Sequence, residues 1–180
     1  MKIIIGLAGE AASGKGTVSK YLQEKYGARV YRFSDFLRAT LNVWHLEINR
    51  KNLANLSLIM RNGFGEDVFS RALAQEISKS ENKVIVFDGI RRASDIEYIK
   101  TIEGFGFVYV ETSLEKRYER ISNRGENLDD NTKTFEQFKK DHELETEKGI
   151  RELKNHADIV IENNGTLEDL QQKIDELVRK

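Results

Sequence analysis

Gly9-Glu10-Ala11-Ala12-Ser13-Gly14-Lys15-Gly16-Thr17 is the stretch from which the fold of this chain is read. It has the spacing G-x4-G-K of a phosphate-binding loop. Before it, Ile3-Ile4-Ile5-Gly6-Leu7-Ala8 is an apolar, β-branched run suited to a buried strand. After it, Val18, Tyr21 and Leu22 recur at helical spacing. Glycines let the backbone curl so that successive N–H groups of Gly9, Ala11, Ala12, Ser13, Gly14, Lys15, Gly16 and Thr17 form a nest at the positive end of a helix. Lys15 then reaches back over that nest as a compact charge suited to the outer phosphates of a nucleotide. The plain alternative is a glycine turn that only joins a strand to a helix.

Working outward, 180 residues fit one domain, with 39% hydrophobic and 33% charged side chains, the composition of a soluble globular protein. Its 29 basic and 30 acidic residues leave a net charge of −1, which is no footprint for a nucleic-acid polymer. There is no cysteine, so disulfides and thiolate metal sites are excluded. The apolar start is too short for a secretory signal, and no run is long enough for a membrane span. A cytoplasmic enzyme with no membrane partner is expected; composition sets no oligomeric state. With no proline, turns must rest on Gly, Asn and Asp.

Four further strands are predicted, at residues 30–33, 83–88, 107–110 and 157–161, with helical patterns between them. Ile96, Ile99 and Ile102 mark one of those helices, and Leu167, Leu170, Ile174 and Leu177 the last. Five strands alternating with helices imply an α/β, doubly wound, parallel sheet in a single domain. Residues 39–80 form a helical insert, and the polar stretch of residues 124–134 reads as a lid loop.

Asp88 ends a buried strand at the edge where open α/β sheets place ligands, so its carboxylate can hold magnesium beside bound phosphates. The next residue is Gly89 rather than the glutamate a motor ATPase needs to activate water. Arg91 and Arg92 follow and suit bidentate capture of a phosphate, or simply a solvated turn. Arg117, Arg120 and Arg124 share one helical face. They form either a surface network with Glu115, Glu119 and Glu126, or lid arginines that neutralise a transferring phosphoryl group. His45, His142 and His156 lack metal-ligand spacing.

These residues resemble the P-loop nucleoside and nucleotide kinases. Gly14-Lys15-Gly16-Thr17, Ser34-Asp35-Phe36-Leu37-Arg38 and Asp88-Gly89-Ile90-Arg91-Arg92 are similar, in order, to adenylate kinase segments. The resemblance implies ATP and Mg2+ as cofactors, with the metal near Thr17 and Asp88 and catalysis by Lys15, Asp88, Arg120 and Arg124. It also implies an acceptor phosphate at Arg38 with Arg91 or Arg92, in a pocket formed with the insert. Ala157-Asp158-Ile159-Val160-Ile161-Glu162-Asn163-Asn164-Gly165-Thr166-Leu167-Glu168 is similar instead to the closing strand and turn of dephospho-CoA kinases. Two departures stand out: Ile96 aligns with the adenine-reading glutamine of adenylate kinases, and the proline-leucine-leucine segment of dephospho-CoA kinases is absent after Asp88.

The expected function is transfer of the γ-phosphoryl group of ATP to a small nucleotide acceptor. One alternative is a dephospho-CoA kinase acting on a ribose hydroxyl, with Asp35 as base. The alternative from another class is a nucleotide-dependent regulatory binder; a GTPase switch is disfavoured because no N-K-x-D motif exists.

Overall fold

The computed structural model describes residues 2–124, 134–143 and 145–179. Its centre is β1 (Ile3–Ala8), which is buried from Ile4 onward. Alternate residues of this strand feed two apolar layers. Ile4 and Ala8 face one, with Phe33, Leu37, Phe69, Leu73 and Phe107. Ile5 and Leu7 face the other, with Val18, Leu22, Leu170 and Ile174. A strand covered on both faces has no polar side to show, which is why its sequence is a continuous apolar run. Gly6 is required by proximity: a Cβ there would stand 2.9 Å from both Ile90 Cδ1 and the Phe105 ring.

The sheet has five strands in the order β2-β3-β1-β4-β5, and every neighbouring pair is parallel. The others are β2 (Arg29–Arg32), β3 (Val84–Asp88), β4 (Phe105–Glu111) and β5 (Ile159–Glu162). The helices are α1 (Lys15–Tyr26), α2 (Phe33–Val43), α3 (Arg50–Phe64), α4 (Val68–Lys79), α5 (Leu114–Arg124), α6 (Phe135–His142), α7 (Glu145–Glu152) and α8 (Leu167–Arg179). Because β1 lies between β3 and β4, the crevice for a ligand opens past their carboxyl ends, where successive connections diverge. The doubly wound parallel sheet expected from the sequence is therefore the observed one, and α2 to α4 fill the span between β2 and β3.

The helix expected around Ile96, Ile99 and Ile102 is not an α-helix. The chain makes two short 3-10 turns there, Ala93–Asp95 and Ile99–Thr101. Asp95 accounts for the first: its Oδ2 accepts from the N–H groups of Arg91 and Arg92, each at 3.0 Å. Side-chain capture of those donors fixes the tight turn that opens this segment. Ile96 and Ile99 remain buried, so their spacing reported burial rather than helix type.

α1 and α8 are tied by one carboxylate. Asp175 accepts from Tyr21 (3.0 Å), Tyr26 (2.7 Å) and Lys25 (2.6 Å). The Lys25 and Tyr26 hydrogen bonds hold the Asp175 carboxyl down at about 2. A depressed carboxyl pKa stabilises the fold fully above the unfolded value of about 3.9, and that contribution is lost as pH falls through the folded value. Asp175→Asn is accordingly expected to lower Tm at pH 7. The gap from wild type should close as melts are repeated toward about pH 2; a gap independent of pH would show that the carboxylate's charge is not what matters.

Candidate functional site

The loop from β1 to α1 is shaped by three left-handed residues, Gly9 (φ 145°), Ala12 (φ 60°) and Gly14 (φ 106°). A Cβ on Gly9 would lie 2.4 Å from the Val110 carbonyl oxygen, and one on Gly14 would lie 2.2 Å from Asn163 Nδ2. Only glycine fits either place. Ala12 takes the same hand without that freedom, which costs on the order of 1 kcal/mol. Ser13 N–H closes the turn onto Glu10 O at 3.2 Å, and Ser13 itself is buried.

Gly14 caps α1 without a side-chain acceptor. The N–H groups of Gly14, Gly16 and Thr17 have no acceptor among the described residues. Such orphan donors at a helix start are where an anion binds. The space beside Gly16 is open, with nothing within 4 Å of an added Cβ, and Ala11, Gly16 and Thr17 are exposed. Lys15 curls back over the loop as its position suggested, donating from Nζ to Gly9 O (2.6 Å) and Glu10 O (2.8 Å).

Arg117 and Arg120 of α5 do not belong to a solvated stripe. Arg117 is 2% exposed and reaches under the loop, its Nη2 3.3 Å from Glu10 Oε2 and its Nη1 donating to Ala11 O at 3.4 Å. Arg151 of α7 meets the same carboxylate at 3.3 Å, and His142 Nδ1 lies 2.8 Å from Glu10 Oε1. Burial lowers the His142 pKa; Arg117 and Arg151 lower it further while Glu10 opposes them. Arg120 turns to the back of the loop, donating to Ser13 O (3.3 Å), Thr112 Oγ1 (3.3 Å) and Asn163 O (2.9 Å). Beside it a cavity of about 200 Å³ opens between Gly14, Thr17, Asn163, Thr166 and Leu167. Arg124 closes α5, and its side chain, with residues 125–133 of the expected lid, lies outside the described part.

On the other side of β1, Asp88 pairs in register with both Leu7 and Arg32, and its Oδ2 is 3.6 Å from Arg32 Nε. Asp35, in the first turn of α2, accepts at 3.2 Å from the N–H of the capping residue Arg32. Arg38 and Arg91 are exposed, with no ion-pair partner among the described residues. Arg92 Nη1 pairs with Glu66 Oε2 at 2.9 Å. No group of three or more His, Cys, Asp or Glu that could hold a metal ion occurs among the described residues. Magnesium beside a nucleotide needs only one or two protein oxygens, with phosphates and waters completing the shell. The Thr17 hydroxyl, exposed on the first turn of α1, and the Asp88 carboxylate fit that modest demand.

Several residues of this region carry no local sequence signal. Thr112, His142, Arg151 and Asn163 become neighbours of the loop only through the fold. The same is true of Arg61, 7% exposed on α3, whose Nη2 donates to Asp95 Oδ1 at 2.6 Å. That pair joins the insert to the turn carrying Arg91 and Arg92. Removing one member of a buried ion pair leaves an uncompensated charge and costs about 3–5 kcal/mol. Asp95→Ala should lose about that much in urea unfolding, and a loss below about 1 kcal/mol would class the pair with exposed ones.

Comparisons with known proteins bear on the family and the fold. The AAA_18 family model, described as AAA domain, matches residues 5–148. A UPF0200 protein of Sulfurisphaera tokodaii is 32% identical over 98% of this chain and 96% of its own length. Among solved structures, a shikimate kinase from Bacteroides thetaiotaomicron superposes with a TM-score of 0.63 at 14% identity, covering 99% of both chains. A gluconokinase from Sinorhizobium meliloti 1021 gives 0.61 at 13% identity, over 99% of this chain and 92% of the other. These two likenesses concern the fold, which is that of P-loop kinases. With most of its length matched by the family model and nearly all of it by a UPF0200 protein, the chain belongs to the AAA_18 family of P-loop NTPases.

Proposed function

We propose that this protein is a cytoplasmic, ATP-dependent phosphotransferase that moves the γ-phosphoryl group of ATP to a small nucleotide acceptor, in the manner of nucleoside monophosphate kinases. The observation that carries this reading is the anion nest at the start of α1, with Lys15 folded over it and open space beside Gly16. ATP would lay its phosphates along residues 9–17. Its base would enter the cavity bounded by Gly14, Thr17, Arg120 and Leu167. Magnesium held with Thr17 and Asp88 would neutralise charge on the phosphate oxygens.

The acceptor side is read from its charges. Arg38 and Arg91 are exposed without ion-pair partners among the described residues, and Arg92 has only an exposed one. Guanidinium groups in that state suit an anionic acceptor. Asp35 already accepts from the Arg32 N–H, so it is a weaker base for a dephospho-CoA-type hydroxyl transfer than the sequence suggests. Arg120 and Arg124 would act on the nucleotide, with residues 124–134 as a lid and residues 39–80 as the acceptor-binding insert.

Assays with labelled ATP against nucleoside monophosphates and dephospho-CoA test the assignment. Turnover on a monophosphate is expected. Turnover on dephospho-CoA alone would favour hydroxyl transfer, and ATP binding without any turnover would favour a regulatory binder. Lys15→Ala should cut phosphoryl transfer by about 10²–10³-fold, the usual effect of deleting one charge-stabilising donor, while leaving circular dichroism unchanged. Arg38→Ala should weaken acceptor binding by roughly ten- to a hundredfold with little change for ATP, because a hydrogen bond to a charged group is worth about 1.5–3 kcal/mol. Equal loss for both ligands would mean that Arg38 serves the fold instead.

A further inference from the structure

We infer that Thr112 and Asn163 are positioning residues for the phosphate nest, acting through one peptide unit, that between Ser13 and Gly14. The inference rests on the nucleotide-binding reading of residues 9–17. The Ser13 carbonyl oxygen accepts from Thr112 Oγ1 at 2.8 Å, from Asn163 Nδ2 at 2.8 Å and from Arg120 Nη1 at 3.3 Å. All of this happens out of water: Ser13 is 1% exposed, Thr112 5% and Asn163 5%. A carbonyl oxygen has two lone pairs, so two close donors and a third longer one saturate it.

The consequence follows from planarity. In a trans peptide the N–H points opposite to the C=O of the same unit. Holding Ser13 O toward β4 and β5 therefore turns Gly14 N–H the other way, toward the mouth of the loop. That N–H has no acceptor among the described residues. Left alone, the unit can flip, since Gly14 tolerates either sign of φ. A flip would put a carbonyl dipole where phosphate needs a donor. The side chains behind the loop select the useful orientation before any ligand arrives, which is the form that preorganisation takes here.

The donors are themselves fixed. Thr112 directly follows β4, and Asn163 directly follows β5. Asn163 N–H is bonded to Glu111 O at 2.8 Å. Arg120 donates to Thr112 Oγ1 and to Asn163 O, and of the two acceptors within reach of the Thr112 hydroxyl, Ser13 O at 2.8 Å is nearer than Asn163 O at 3.2 Å. The absence of a Cβ on Gly14 is what admits the Asn163 amide this close.

Three variants and two probes test this. Thr112→Val removes one donor, Asn163→Asp replaces the other with an acceptor, and Thr112→Ser keeps the hydroxyl. Calorimetry would measure binding of ATP and of inorganic tripolyphosphate, which has no base to touch the neighbouring cavity. Thr112→Val and Asn163→Asp are each expected to weaken both ligands by the same factor, about five- to tenfold, as for one lost hydrogen bond. Thr112→Ser should bind as wild type does. Unchanged tripolyphosphate affinity, with or without a lower Tm, overturns the inference. So does a loss confined to ATP, which would assign these residues to the base. Wild-type protein that binds neither probe overturns the nucleotide reading itself, and this inference with it.

Discussion

Backbone donors without acceptors are the constraint around which this molecule is built. The first N–H groups of any helix lack partners, and most proteins satisfy them with a side-chain cap or water. Here the capping position is Gly14, which offers no side chain. The preceding strand is buried on both faces, so the loop leaves the sheet at its centre rather than its rim. A concentration of positive partial charge is thereby set at the carboxyl edge of the sheet. Tight loop glycines, the curled lysine and the saturated Ser13 carbonyl are the means by which the chain keeps that arrangement in place of a collapsed turn.

The cations around the loop divide into two groups by what already binds them. Arg117 and Arg151 are engaged with Glu10 and His142, and Arg120 with backbone oxygens of Ser13 and Asn163. Three of these four partners belong to the loop or its immediate support; Arg117 and Arg151 are balanced there by a carboxylate, whereas Arg120 meets only neutral oxygens and borders the open cavity. Arg38 and Arg91 stand exposed on the opposite side of β1. Charge that is internally balanced serves architecture, whereas charge left in water is available to a ligand. The insert repeats the contrast in its apolar residues: Leu41, Phe69 and Leu73 are buried, while Trp44, Leu58, Ile59 and Phe64 are exposed.

Much of this was legible in the residues. The strand, loop and helix from Ile3 to Tyr26 follow from an apolar run, glycine spacing and helical periodicity, all interactions between near neighbours in the chain. The parallel, doubly wound sheet followed from alternation of strands and helices. Periodicity misled at Ile96, Ile99 and Ile102, because apolar spacing reports a buried face and not the kind of turn that presents it. Asp95 ties the N–H groups of Arg91 and Arg92 into the first of two short 3-10 turns instead.

What the chain determined by itself is the local chemistry: a curled glycine loop, a lysine placed to fold over it, and an aspartate at the end of β3. Only the tertiary structure decided what stands behind the loop. Thr112 is 99 residues from Ser13 in sequence and Asn163 is 150 away, yet both donate to its carbonyl oxygen. Glu10 meets Arg151 across 141 residues. No spacing rule reaches that far. Backbone dihedrals and helical period are set by adjacent atoms, but which side chain meets which peptide depends on strand order and register, and these exist only once the sheet has closed around β1.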